Sequence, residues 1–264
     1  MHLPPVQFQN TILNAIPDDD RRQLLPHLSR VDLGLRKKLE AAGGAIEYVY
    51  FIERGLASVV ARLSTDQEIE VGLIGFEGMT GISLVLGDTR TPFNCYALME
   101  GEALRLPSGV LMQAMASSPA LRTVLLRFAR AFTLQTSFAA LSNGRLSIEQ
   151  RLARWILMAD DRTAQSCFAI THDFLALILG VRRPGVTLAL QALVGKHLIQ
   201  SNRNEVVVVD RDGLAALSGG GYGPAEFEYE RLTDIILSKP PLQTHPMPAA
   251  MLLGGPNSFL GPVC

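Results

Sequence analysis

The stretch LILGVRRPGVTLALQALVGKHLI, Leu177 to Ile199, places Arg182 and Arg183 at the start of a segment with helical periodicity. The amino end of a helix already carries partial positive charge, so two cations there are unfavourable unless an anion arrives from outside. A guanidinium can grip a phosphate, or the O6 and N7 acceptors of guanine, through paired N–H groups. The residues around the arginines say how they would be presented. Gly180 suits a tight turn just before them, and Pro184 lies in a first helical turn, where its missing N–H costs nothing. Val186, Ala189, Leu190 and Leu193 recur at helical spacing and form the face to be buried. Upstream, Thr171 is placed to cap a helix carrying Phe174, Leu175, Ile178 and Leu179, with Ala176 small enough for a second helix to cross closely. Two helices joined by Gly180-Val181-Arg182, then a hairpin turned at Asn202-Arg203-Asn204, predict a winged helix-turn-helix. In that geometry the amino-terminal residues of the second helix enter the major groove of double-stranded DNA. The candidate contacts are Thr171, Arg182, Arg183, Gly185, Thr187, Gln191 and Arg203. Outside this pattern the two arginines would read as a solvated turn.

The 264 residues are 48% hydrophobic and 19% charged, enough for one large or two modest domains with a real core. A net charge of −1 says nothing in favour of nucleic acid. Its distribution says more. From Gly144 to Asn204, eight basic residues (Arg145, Arg151, Arg154, Arg162, Arg182, Arg183, Lys196, Arg203) face four acids (Glu149, Asp160, Asp161, Asp173), a local +4. Cys95, Cys167 and Cys264 share no metal-like spacing and are too few for a disulfide framework, so a reducing, cytoplasmic setting is the simplest reading. No signal-type apolar segment opens the chain, and no apolar run reaches membrane-spanning length. The expectation is a cytoplasmic protein without a membrane partner or metal.

Ahead of the basic zone, residues 10 to 30 read as helical, with Asp18-Asp19-Asp20 an acidic first turn before Leu24, Leu25 and Leu28. From Ile46 to Leu106 the character changes. IEYVYFIERGLASVVARL reads as two strands joined at Glu53-Arg54-Gly55, and FNCYALMEGEALRLP as another pair turned at Glu100-Gly101. EIEVGLI alternates, with Ile69, Val71 and Leu73 on one face and Glu68 and Glu70 on the other. Short strands with glycine turns predict a small antiparallel barrel or sandwich. After Pro107 a long helix carries Leu121, Leu125, Phe128 and Phe132 in a coiled-coil-like seam continued by Gln135 and Ala139. This stripe either packs on the chain's own barrel or on a second copy of itself, and the second reading is preferred. Asn143-Gly144 is the expected break, after which Ser147 and Gln150 make a capping box. The fold class is therefore α+β: a β-roll over residues 10–118, a dimerisation helix over 119–143 and a winged helix-turn-helix over 144–237. A Pro- and Gly-rich tail, 238–264, is expected to be disordered.

The run from Ile170 to Val209, with SIEQRLARWILM before it, resembles the Crp-Fnr family of bacterial transcription regulators. The region from about Asn10 to Ala140 resembles that family's cyclic-nucleotide-binding-type β-roll and dimer helix. The resemblance implies a homodimer on a two-fold symmetric operator, gated by an effector in the roll, with RNA polymerase as a further partner. It places an effector pocket near Gly78, Gly81, Ile82, Arg90 and Thr91. Nucleotide-binding members carry Gly-Glu-Leu and, about ten residues on, Arg-Ser. Here Ile82 stands at the glutamate position and Pro92-Phe93 at the Arg-Ser positions, with Arg90 two residues early. A buried phosphate without a placed cation is costly, so tight cyclic AMP binding is not expected, and the effector is left unnamed. One cysteine in the roll excludes an iron–sulfur cluster. Cys95 and His27 read as a buried thiol and a surface imidazole rather than haem ligands. In the recognition helix the family's Arg-Glu-Thr-Val-Gly-Arg is replaced by Arg183-Pro184-Gly185-Val186-Thr187-Leu188, which implies a different target sequence.

Two other classes compete. The winged domain could bind protein, in which case apolar anchors should stand where Arg182 and Arg183 stand. An enzyme would need a triad, a paired-His metal motif or a phosphate loop, and GFEGMTG lacks the Lys-Ser/Thr partner of the last. Within the family, the roll could also be purely structural.

Overall fold

The computed structural model describes residues 8–64, 67–163, 167–202 and 205–234. Arg203, at the tip of the expected wing, and the tail 238–264 lie outside the described residues.

The described residues open with two short helices, α1 (Thr11–Ala15) and α2 (Asp18–Leu24), and a 3-10 turn, Leu25–His27. The continuous helical reading of residues 10 to 30 is corrected: Pro17 interrupts it, and Ser29 already begins a strand. Asn10 ties this segment to the roll. Its side chain caps α1 at Leu13 and donates to the carbonyls of Ile52 and Gly78.

The roll is built from β1 (Ser29–Leu33), β2 (Lys38–Glu40), β3 (Tyr48–Arg54), β4 (Ala57–Ser64), β5 (Gln67–Ile74), β6 (Asn94–Ala97) and β7 (Gly101–Pro107), with the short helix α3 (Ile82–Val85) between β5 and β6. They form two antiparallel sheets, ordered β1-β7-β3 and β2-β6-β4-β5. The turns at Gly55 and Gly101 therefore do not make hairpins; they carry the chain from one sheet to the other. Gly55 sits at φ 87°, where a Cβ would lie 2.9 Å from the Glu100 carbonyl, so both backbone and space demand glycine. Between the sheets, Leu33, Tyr50, Ile52, Ile74, Cys95 and Ala103 form part of a closed apolar core.

Strand β5 departs from its alternating sequence. The pairing with β4 steps from Val59–Gly72 to Val60–Glu70, a β-bulge that skips Val71. An extra residue reverses the side-chain parity beyond it. Glu70, expected on the face opposite Leu73, thereby shares Leu73's side of the strand, and it is buried there under Trp155 of the second domain.

Helix α4 (Ser108–Ser117) leads into α5 (Pro119–Arg145), 27 residues long and capped by Ser118. The helix runs through Asn143-Gly144 and ends only at Leu146, so the expected break is displaced. The expected dimer seam is also corrected. Leu121, Leu125 and Phe128 are buried in one cluster with Val49, Phe51 and Met79 of the chain's own roll. Phe132 packs on the inter-sheet core, and the Gln135 amide both accepts from Leu73 N–H at 2.7 Å and donates to its carbonyl at 3.1 Å.

The second domain comprises α6 (Ile148–Asp161), β8 (Cys167–Ala169), α7 (His172–Leu179), α8 (Arg183–Gly195), β9 (Ile199–Asn202), β10 (Glu205–Val208), α9 (Arg211–Leu217) and α10 (Pro224–Thr233). Ser147 and Gln150 form the capping box that starts α6. The wing strands pair β10 with β9, and β8 adds a third strand. Leu56, Leu73 and Leu98 of the roll share one core with Leu152, Ala153 and Ile156. Helix α10 folds back onto α5, burying Tyr229 in the roll-side cluster, where its hydroxyl donates to the Glu77 carbonyl at 2.7 Å.

Candidate nucleic-acid interface

Helix α7 starts where Thr171 Oγ1 accepts a hydrogen bond from Phe174 N–H, 3.2 Å away. It ends at Gly180, in the left-handed region at φ 60°, ψ 38°, a conformation glycine adopts without strain. The chain turns through Val181 and Arg182, and α8 departs at 102° to α7, inside the range of helix-turn-helix units. Val186, Ala189, Leu190 and Leu193 face inward. Arg182, Arg183, Pro184, Leu188 and Gln191 are exposed.

Arg182 makes no cap with its side chain. Arg183 Nε lies 3.6 Å from Asp173 Oδ1, with both side chains 65% exposed. Such a pair is worth little in water, so it does not keep Arg183 from a phosphate or a base. Gly185 points the place of its missing side chain at Ile148, 3.4 Å from a notional Cβ, which makes it a helix-packing residue. Thr187 Oγ1 donates to the Arg183 carbonyl at 3.2 Å and lies 3.2 Å from His172 Nδ1, and the Thr171 hydroxyl is committed to its cap. The candidates with free, outward polar groups are thus Arg182, Arg183 and Gln191. Leu188, 67% exposed in their midst, was missed by reasoning from polar groups; its signal was the gap it leaves in the buried helical period.

The basic zone does not all face outward. Arg154 and Arg162 are 6% and 3% exposed. Arg162 Nε donates to Glu77 Oε1 at 2.8 Å, joining the second domain to the roll. Burial opposes its charge, but Glu77, Glu226 and Asp161 more than offset this and raise its pKa. Glu77 is pushed up by burial, with Arg162 pulling it back. Arg154 donates to the Gly221 carbonyl, and burial lowers its pKa. Arg151 donates to the Leu179 carbonyl at the end of α7. A second tie runs through Glu70, which accepts from Ser58 Oγ at 2.5 Å within the roll and from Trp155 Nε1 at 2.8 Å across the junction. Burial lifts the Glu70 carboxyl to about 7, against the hydrogen bonds and the nearby arginines.

The expected effector residues lie along the segment that runs from the end of β5 through α3 to the start of β6. A side chain at Gly78 would meet Phe128 at 2.8 Å, and one at Gly81 would meet Val49 at 2.4 Å. Gly81 N–H donates to Glu40 Oε1 at 2.5 Å. Ile82 packs against the apolar core, Thr91 is buried with its hydroxyl turned to Phe93, and Arg90 is exposed. Cys95 is a buried thiol whose pKa burial raises well above the usual value, and His27 is exposed. An open groove of about 760 Å³ lies elsewhere, between the β4–β5 pair and the α7–α8 turn, lined by Ile69, Leu63, Leu177 and Arg182 among others. Arg36 of the roll stacks over the Phe174 ring of α7 at 5.6 Å. Among the described residues no group of three His, Cys, Asp or Glu is placed to hold a metal, and no single helix is long and apolar enough to cross a membrane.

A two-sheet roll, a long helix and a helix-turn-helix with a wing make up the architecture of the described residues. Residues 150–217 match the Crp-like helix-turn-helix domain. The chain has the fold of the Crp/Fnr transcriptional regulators. A regulator of the crp/fnr family from Eubacterium rectale aligns over 80% of this chain and 99% of its own at 15% identity, TM-score 0.62. FixK2 from Bradyrhizobium japonicum covers 72% and 96% at 16% identity, TM-score 0.63. CLP of Xanthomonas campestris, a c-di-GMP-responsive global regulator, covers 73% and 99% at 17% identity, TM-score 0.57. No curated protein matches the chain.

Proposed function

We propose that this protein is a homodimeric, sequence-specific DNA-binding transcription regulator, gated through its β-roll, without enzymatic activity. The observation that carries the reading is the outward presentation of Arg182 and Arg183 at the amino end of α8, with no buried acid to neutralise them. A protein-docking winged helix would place apolar anchors there. The dimer seam is the face of α5 left uncovered by the roll, where Leu126 and Leu141 are 41% and 57% exposed and Leu134 and Phe138 are half-buried. Two copies joined along it present two recognition helices to a palindromic operator, and RNA polymerase is the partner a regulator of this architecture would engage. The effector is not cyclic AMP on this reading, since Ile82 and Pro92-Phe93 supply neither ribose acceptor nor phosphate cation, and Arg90 stands in solvent.

Selection from sheared genomic DNA tests the reading, with wild type and Arg182→Ala/Arg183→Ala run in parallel. Wild type is expected to enrich a palindrome and the double variant not to. Equal enrichment by both would defeat the assignment of the arginines. Leu141→Glu is expected to halve the sedimentation mass, whereas a charge at Phe128 should unfold the roll instead.

A further inference from the structure

Pro184, Thr187, Leu188 and Gln191 lie at helical spacing on the outer side of α8, opposite the buried stripe of Val186, Ala189, Leu190 and Leu193. A solvent-exposed leucine alone carries no message. The position of Leu188 does. It stands one turn after Arg183 and Pro184 and one turn before Gln191, in the middle of the surface that would meet a groove. Its neighbours leave that centre without free polar groups, because the Thr187 hydroxyl is turned back onto the Arg183 carbonyl and His172. The proline side chain has no donor or acceptor to offer.

Every base edge in the major groove offers donors or acceptors, and only thymine adds an apolar projection, its 5-methyl group. A side chain without polar atoms can discriminate there by that methyl and by little else. We infer that Leu188 is a specificity-determining residue that packs on a thymine 5-methyl group. The inference rests on the DNA-binding reading above. Helical rise places Leu188 about 4.5 Å from Gln191 and about 7.5 Å from Arg183 along the axis. At about 3.4 Å per base pair these are roughly one and two steps. The half-site is then a guanine for Arg183, a thymine about two steps on, and an adenine for Gln191 about one step further.

The test uses the full chain and a random-sequence duplex pool. The enriched sequence is resynthesised with deoxyuridine replacing thymidine one position at a time, which deletes only the methyl group. Wild type is expected to bind about fourfold more weakly at one thymine per half-site, the worth of one buried methyl. Leu188→Ala is expected to bind the thymine and uracil duplexes equally. Because Leu188 is exposed, this variant should keep the wild-type melting midpoint. Indifference of wild type to uracil at every position would overturn the inference, and so would a Leu188→Ala protein with undiminished uracil sensitivity. If wild type enriches no sequence at all, the DNA-binding reading itself fails, and the inference with it.

Discussion

The second domain uses arginine in two opposed ways at its two ends. Arg182 and Arg183 stand in water at the tip, one unpaired and the other loosely beside Asp173. At the base, Arg162 is held by Glu77, and Arg211 is held by Asp160, Asp161 and Tyr222. A buried guanidinium with matched carboxylates fixes geometry, and removing one partner strands the other charge. An exposed guanidinium contributes almost nothing to folding and keeps its donors for a visitor. The local excess of positive charge in the sequence is therefore two populations, and only the exposed one is open to an anion from outside.

Variants at each site can break or sharpen this contrast. Arg162→Leu leaves Glu77 buried without its counter-charge and should cost about 3–5 kcal/mol in urea unfolding; a loss under about 1 kcal/mol would mean the pair is not structural. Glu70→Gln tests the second junction tie. The folded carboxyl titrates near 7, above the unfolded value near 4.5, so the folded state holds the proton more tightly across that window. Wild-type stability should then fall as pH rises from about 4.5 to 7, by about 3 kcal/mol from this group, and the glutamine variant should lack that component. Identical pH profiles for the two proteins would place Glu70 outside the junction's energetics. Smallest of all, Arg183→Ala should change unfolding free energy by no more than about 0.5 kcal/mol. A larger loss would assign the residue to the scaffold and take it from the interface.

What could be foreseen divides along the same line. The helix-turn-helix follows from local rules: a threonine cap, a glycine able to turn left-handed, a proline in a first turn and an apolar stripe at fixed spacing. Each acts within a few residues and survives translation into structure. The roll depends on partners far away in the chain. Nothing in EIEVGLI announces the bulge that sets Glu70 on Leu73's side of the strand, or the Trp155 that covers it, because both come from other segments of the chain. The stripe on α5 shows that one face is buried without naming what covers it, and the chain's own roll took the place expected for a second copy. Leu188 escaped for another reason, since its side chain carries no hydrogen-bonding group and only its exposure on α8 marks it.

The return of α10 has a mechanical consequence. The winged domain meets the roll through the shared core of Leu56, Leu73 and Leu98, through Trp155 on Glu70 and Arg162 on Glu77, and again where Tyr229 of α10 seats against the Glu77 carbonyl. Glu77 is therefore gripped twice, by its carboxylate and by its carbonyl. A rotation of the whole winged domain against the roll must strain both holds on that one residue at once.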